Sequence, residues 1–183
     1  MNDRASGAAF RIIEARRLRD LFDDVFRSLD VPDSEIRMVA DALMEATLSG
    51  YNAHGVMRVP KYADQLQDGT IVAGAAFEII RQTAASAYVD AGRGLGQVTA
   101  TRAVNLACAK AADTGIGCVS TRNSNDIGRL GSYLFEPARS GFLSILVAND
   151  TGGLLSVAPH GGAERFFSTN PIAAGIPTDD EPI

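Results

Sequence analysis

At 183 residues, 46% of them hydrophobic and 21% charged, the chain is long enough to bury a sizeable core and has the make-up of an ordinary globular protein. Its net charge of −5, with Lys and Arg scattered rather than clustered, excludes a basic nucleic-acid-binding face. No apolar run approaches the ~20 residues of a membrane-spanning helix.

The elements follow in chain order. "EARRLRDLFDDVFRSLD" sets Leu18, Leu21, Phe22, Val25, Phe26 and Leu29 on one helical stripe with charges opposite. Pro32 then suits the first turn of a second helix, with Asp33 and Glu35 favoured near its positive end. Gly50 and Gly55 bracket a loop carrying His54, and Pro60 fits the start of a short third helix, "PKYADQLQDG". Beyond it, "FEII" and "SAYVDA" read as strands, "GRGLGQ" as a loop, and "QVTATRAVNLACAKAADTG" as an Ala-rich helix stopped by Gly115. "GIGCVST" reads as a strand, "NSNDIGRLG" as a loop, and "SYLFEPARSG" as a short helix limited by Pro137. "FLSILVAND" and "IAAGIP" are the last two strands, joined by a long Gly-rich connection.

This order predicts an α/β (α+β) fold in two regions, a helical one over residues 1–80 and a mixed one over 81–183. The chain stops soon after a buried strand, so it is expected to be the front part of a longer polypeptide. Cys108 and Cys118 have neither metal-ligand nor disulfide-scaffold spacing, and "MNDRASGAAF" has no apolar core of a signal peptide. A reduced, cytoplasmic compartment and no metal site are expected.

Four stretches carry chemistry. "GRGLGQ" follows a strand and precedes a helix, but its glycines are spaced G-x-G-x-G, with Gln97 where a dinucleotide fingerprint needs its third Gly. Glycines that let the chain turn into a helix are the plainer account, although free N–H groups there could still hold a phosphate. "STRNSNDIGRLG" places Arg122, Asn123, Ser124, Asn125 and Asp126 after an apolar strand, where α/β proteins bind ligands; the same residues are also turn formers, with Asp126 a candidate cap. "FFSTNP" offers Thr169 and a turn-starting Asn-Pro pair. In "YNAHGVMRVPKY", His54, Arg58 and Tyr62 recur at intervals of four. An imidazole that exchanges protons near neutrality, beside a guanidinium fork for a carboxylate, is what reduction of a 2-oxo acid needs. A surface ion pair beside a helix entrance would leave the same spacing.

Together "AHGVMRVPKYADQLQDGTI", "DAGRGLGQVTATRA", "GIGCVSTRNSNDIGRLG" and "STNPIAAGIPT" resemble, in order, the type-2 malate/L-lactate dehydrogenase family, over about residue 10 to the end. That family includes ureidoglycolate dehydrogenase, diketogulonate reductase, sulfolactate dehydrogenase and piperideine-carboxylate reductase. The resemblance implies a non-Rossmann nucleotide-binding fold, NAD or NADP as cofactor, a small 2-oxo or 2-hydroxy acid as substrate, and a homodimer or larger assembly. It makes His54 the proton donor, Arg58 the carboxylate clamp, and Tyr62 and Thr169 substrate contacts. It assigns residues Arg122 to Asp126, Asp150 and Thr178 to the nucleotide.

Three departures accompany it. Ala53 stands where the family commonly has Ser, and Asp126 where it commonly has His. The carboxylate that orients the histidine in the family would lie past Ile183. An aspartate with an ordinary pKa is ionised at neutral pH and cannot donate a proton, so Asp126 is expected beside His54, holding its ring as a charged partner. The alternative is a catalytically impaired or truncated homologue that serves as a binding or oligomerisation module.

Overall fold

The computed structural model describes residues 12–150 and 155–183. The reading of residues 1–10 and the start of the Gly-rich connection at 151–154 lie outside the described residues.

Three helices form the first layer: α1 (Ala15–Arg27), α2 (Asp33–Leu48) and α3 (Val59–Gln67). The stripe read on α1 buries Phe22 and Phe26, with Leu18 and Leu29 packed at its margin, while Leu21 stays 54% exposed. Pro32 sits one residue earlier than expected. It is the N-cap of α2, and its carbonyl accepts from the amides of Glu35 (2.8 Å) and Ile36 (3.0 Å). Val31, Ile36, Val39, Ala40, Leu43 and Met44 join the two phenylalanines in the core. Pro60 lies in the first turn of α3, where its missing N–H costs no helical bond.

The remainder is mixed. β1 (Glu78–Gln82) pairs antiparallel with β2 (Ser86–Asp90), and β2 pairs parallel with β3 (Cys118–Arg122) in the order β1-β2-β3. The crossover between the parallel strands is α4 (Gly96–Thr114), which ends at Gly115 in the left-handed conformation (φ 81°), as its sequence predicts. The short α5 (Phe135–Arg139) follows a 3-10 turn over Leu130–Tyr133. β4 (Ser144–Val147) and β5 (Ile172–Gly175) form a separate antiparallel pair.

The first turn of α4 is driven into the helical layer. Gly96 to Ala100 are all buried, and Leu95 and Val98 belong to the same core cluster as Phe22 and Tyr62. Glu35, expected only as a favourable charge at the start of α2, is 3% exposed. Its carboxylate accepts from Gly74 N (3.0 Å) and Arg102 Nη2 (3.3 Å), tying α2 to α4.

Candidate active site

The segment after α2 is folded by one side chain. The Thr47 hydroxyl donates to Leu43 O (2.7 Å) and accepts from Val56 N (2.9 Å), pinning two successive 3-10 turns, Asn52–His54 and Val56–Arg58, against the helix. Gly55 makes the approach possible, since a Cβ there would lie 2.3 Å from Thr47 Oγ1. His54 is half-buried at the end of the first turn, its amide donating to Tyr51 O (2.9 Å). Its Nδ1 is buried without a hydrogen-bond partner among the described residues. The Arg58 guanidinium curls back, Nε donating to Ala53 O (2.6 Å), while Nη1 lies 3.5 Å from Asp126 Oδ2.

Tyr62, read as a substrate contact, is 1% exposed and sits in the core. Its hydroxyl accepts from Gln97 Nε2 (2.9 Å) on the first turn of α4. Burial and then the Asp126 charge push its phenol far above the usual tyrosine range, with Gln97 and Arg58 opposing. Gln97, fully buried and with its Oε1 unpaired, was legible only as an interruption of a glycine pattern. Its value as a bridge depends on α3 and α4 meeting, which no local spacing announces.

The "NSND" loop is braced on the turn after β2. Asp90 accepts from Gly92 N (2.9 Å), Arg122 Nε (2.8 Å) and Asn123 Nδ2 (2.9 and 3.0 Å). These bonds, the Gly92 amide first, hold its carboxyl below the usual range. Asn125 Nδ2 donates to the carbonyls of Arg93 (2.7 Å) and Gly94 (3.0 Å), and Ser124 Oγ donates to Asn125 O (3.1 Å). The side-chain amides of Asn123 and Asn125 are therefore engaged by the protein itself.

Asp126 corrects the expected geometry. Its Oδ1 accepts from Gly128 N (2.9 Å), the turn-forming role its residue type suggested, and its other oxygen faces Arg58. No carboxylate among the described residues lies within ion-pair distance of the His54 ring, so the expected His54–Asp126 pair does not form. Gly96 explains the placement: a Cβ there would meet Asp126 O at 2.1 Å, so the loop backbone lies directly on the start of α4. Gly128, 3.9 Å from His54 O by the same measure, brings the loop against the histidine turn.

The structure thus gathers His54, Arg58, Tyr62, Gln97 and Asp126 at the junction of α2, α3 and α4. Asp150, Thr169 and Thr178 lie elsewhere, exposed on the segments flanking β4 and β5. Thr178 Oγ1 donates to Glu181 O (2.8 Å) within the terminal turn. A second polar cluster adjoins the site. Glu45 accepts from Arg129 and Ser132, and Arg129 stacks over the ring of Tyr51 at 4.6 Å. Partial burial opposes ionisation of Glu45, but Ser132, Ser49 and Arg129 together hold its carboxyl below the usual range. Among the described residues no group of His, Cys, Asp and Glu is set to hold a metal, and no helix is long and apolar enough to cross a membrane.

The fold is mixed α/β, and the Asp126 loop meets both the turn that ends at His54 and the Arg58 guanidinium. The sequence profile of the malate/L-lactate dehydrogenase family matches residues 13–183, and the chain belongs to that family. It is 40% identical over 166 residues to a malate dehydrogenase of Pyrococcus horikoshii, covering 91% of this chain and 45% of that protein. With an L-sulfolactate dehydrogenase of Methanothermobacter thermautotrophicus it shares 35% over 159 residues, covering 87% and 46%. The solved structure of the Pyrococcus horikoshii malate dehydrogenase superposes with a TM-score of 0.86 at 38% identity, over 93% of this chain and 48% of that one. The sulfolactate dehydrogenase from Methanocaldococcus jannaschii gives 0.88 at 32%, over 94% and 49%. The chain spans about half the length of the curated relatives it matches.

Proposed function

We propose that this chain forms the substrate-holding part of a cytoplasmic NAD- or NADP-dependent oxidoreductase, a homodimer or larger, acting on a small 2-hydroxy or 2-oxo acid. The observation that carries the reading is His54, whose buried Nδ1 has no partner and whose turn is pinned to α2 within reach of the same loop as Arg58. An unpaired buried polar atom costs about 1–3 kcal/mol, a strain that a structural histidine has no reason to keep. A partner for Nδ1 supplied by the remainder of the family's fold would relieve it and fix the ring.

The residues fit a nicotinamide nucleotide at its substrate end. When bound, that group supplies or accepts the hydride. Arg58 then binds the acid's carboxylate, exchanging its long contact with Asp126 for a charge-assisted pair. His54, protonated, passes a proton from Nε2 to the oxygen on C2, or takes it back in oxidation. Tyr62 and Gln97 stiffen the wall beneath. Arg122, Asn123, Ser124, Asn125 and Asp126 would meet the nucleotide through backbone groups and the free edge of the loop, since the amide side chains already have partners. Asp150, Thr169 and Thr178 would join them from the β4–β5 side.

The test is nicotinamide absorbance with the full-length protein, NADH and NADPH, against a panel of 2-oxo acids. His54→Ala should lower turnover by ~10²–10⁴, the usual worth of a positioned general acid. Arg58→Ala should chiefly raise KM. Near-normal turnover in His54→Ala would remove the assignment. Absence of oxidation with every acid would favour the binding or oligomerisation module.

A further inference from the structure

Tyr62 lies deeper than a substrate contact could. It is 1% exposed and packed in the core, yet its hydroxyl ends within the fields of Asp126 and Arg58. A phenol has one proton to give and lone pairs with which to accept. Gln97 Nε2 donates to the oxygen at 2.9 Å, so the proton itself remains for a second partner. The Asp126 carboxylate is that partner, acting on the phenol both as a charge and as a hydrogen-bond acceptor. The backbone agrees with this placement. A Cβ on Gly128, two residues beyond Asp126, would lie 3.6 Å from Gln97 Nε2, so the loop rests on the amide that holds the phenol. Gln97 Oε1, buried and without a partner among the described residues, offers the phenol only a neutral acceptor. A carboxylate takes the proton in preference, because a charge-assisted bond is about twice as strong.

Asp126 is therefore shared. Its Oδ1 accepts from Gly128 N at 2.9 Å, and its Oδ2 faces Arg58 Nη1 at 3.5 Å. That contact is long beside the ~2.7–2.9 Å of a charge-assisted pair. Arg58 Nε is already committed to Ala53 O at 2.6 Å. A carboxylate satisfied in part by a neutral donor is held less tightly by the cation next to it. Without the phenolic donor, Arg58 becomes the strongest remaining partner of Asp126, and the pair closes. An acid arriving at the fork would then have a tighter pair to break. Burial and the Asp126 charge keep the Tyr62 proton in place near neutral pH, so the phenol supplies its bond without adding a charge. A plain tie between α3 and α4 would use the Tyr62–Gln97 bond and leave Asp126 out.

We propose that Tyr62 is a positioning residue that acts through Asp126: its hydroxyl donates to the carboxylate and so keeps Arg58 available to the substrate's carboxylate. This rests on the proposed role of Arg58. Two double-mutant cycles on the full-length protein test it, each with Tyr62→Phe, Asp126→Asn and the two combined. Asp126→Asn removes the charge and keeps an oxygen for the Gly128 amide. In denaturant unfolding, which needs no activity, the two stability losses should be coupled rather than additive. In nicotinamide absorbance with the 2-oxo acid turned over fastest, Tyr62→Phe should raise KM about threefold to tenfold and hold kcat within about twofold. With Asp126→Asn present, the rise in KM should vanish. Circular dichroism matching the parent protein confirms that each variant is folded. Additive stabilities, an unchanged KM in Tyr62→Phe, or a rise that persists alongside Asp126→Asn would each overturn the proposal and return Tyr62 to a tie between helices. If the parent protein turns over no acid, the proposed activity fails by itself; the unfolding cycle then decides the Tyr62–Asp126 bond, coupling supporting it and additivity removing it.

Discussion

At the scale of single residues, Asp126 is the most informative departure. A carboxylate beside the imidazole would tune its protonation; beside the guanidinium it would, in the proposed reaction, compete with the acid's carboxylate for the same fork. Both partners are partly exposed, so the competition is worth ~1 kcal/mol at most. Asp126→Asn should therefore lower KM for the oxo acid by up to about fivefold, most visibly at low salt, and leave the pH profile of turnover in place. A shifted profile with unchanged KM would return Asp126 to the histidine. Tyr62 and Tyr133 give a second prediction. Burial raises both phenols above their ordinary value of ~10. The folded state then holds these protons more tightly than the unfolded one. Their contribution to stability is complete below ~pH 10 and is lost as pH climbs toward the folded-state values. Spectrophotometric titration should show the two ionising together with unfolding; smooth titration of all four tyrosines in folded protein would contradict it.

At the scale of elements, the site is made by helix starts and turns rather than by any one element. The interval of four between His54, Arg58 and Tyr62 was legible in the sequence, but it does not describe one helical face. Two 3-10 turns carry the first two side chains, and α3 carries the tyrosine inward to Gln97. The approach of the "NSND" loop to α4 rests on Gly96, because an added Cβ would meet backbone that cannot rotate away. Gly96→Ala should cost about 1–3 kcal/mol, the usual range for overpacking, read as a lowered denaturant midpoint. An unchanged midpoint would mean that the loop is not held there.

At the scale of the whole molecule, order is concentrated where α2, α3 and the start of α4 share one apolar cluster, and it thins toward both sheets. Amide exchange should follow that gradient, slowest over Ile36–Ala46 and Leu95–Ala100 and fastest in β1 and the β4–β5 ribbon. Uniform protection would show the sheets to be covered in solution. Periodicity along the chain was enough to determine the helices, because burying one stripe is a local demand that spacing records. It also located the five strands and the helix-stopping Gly115. Which polar groups meet was decided by tertiary structure alone. Glu35 reaches Arg102 across 67 positions and Arg58 meets Asp126 across 68. A hydrogen bond or ion pair between distant segments leaves no period in a sequence; it exists only once packing has brought the two ends within reach.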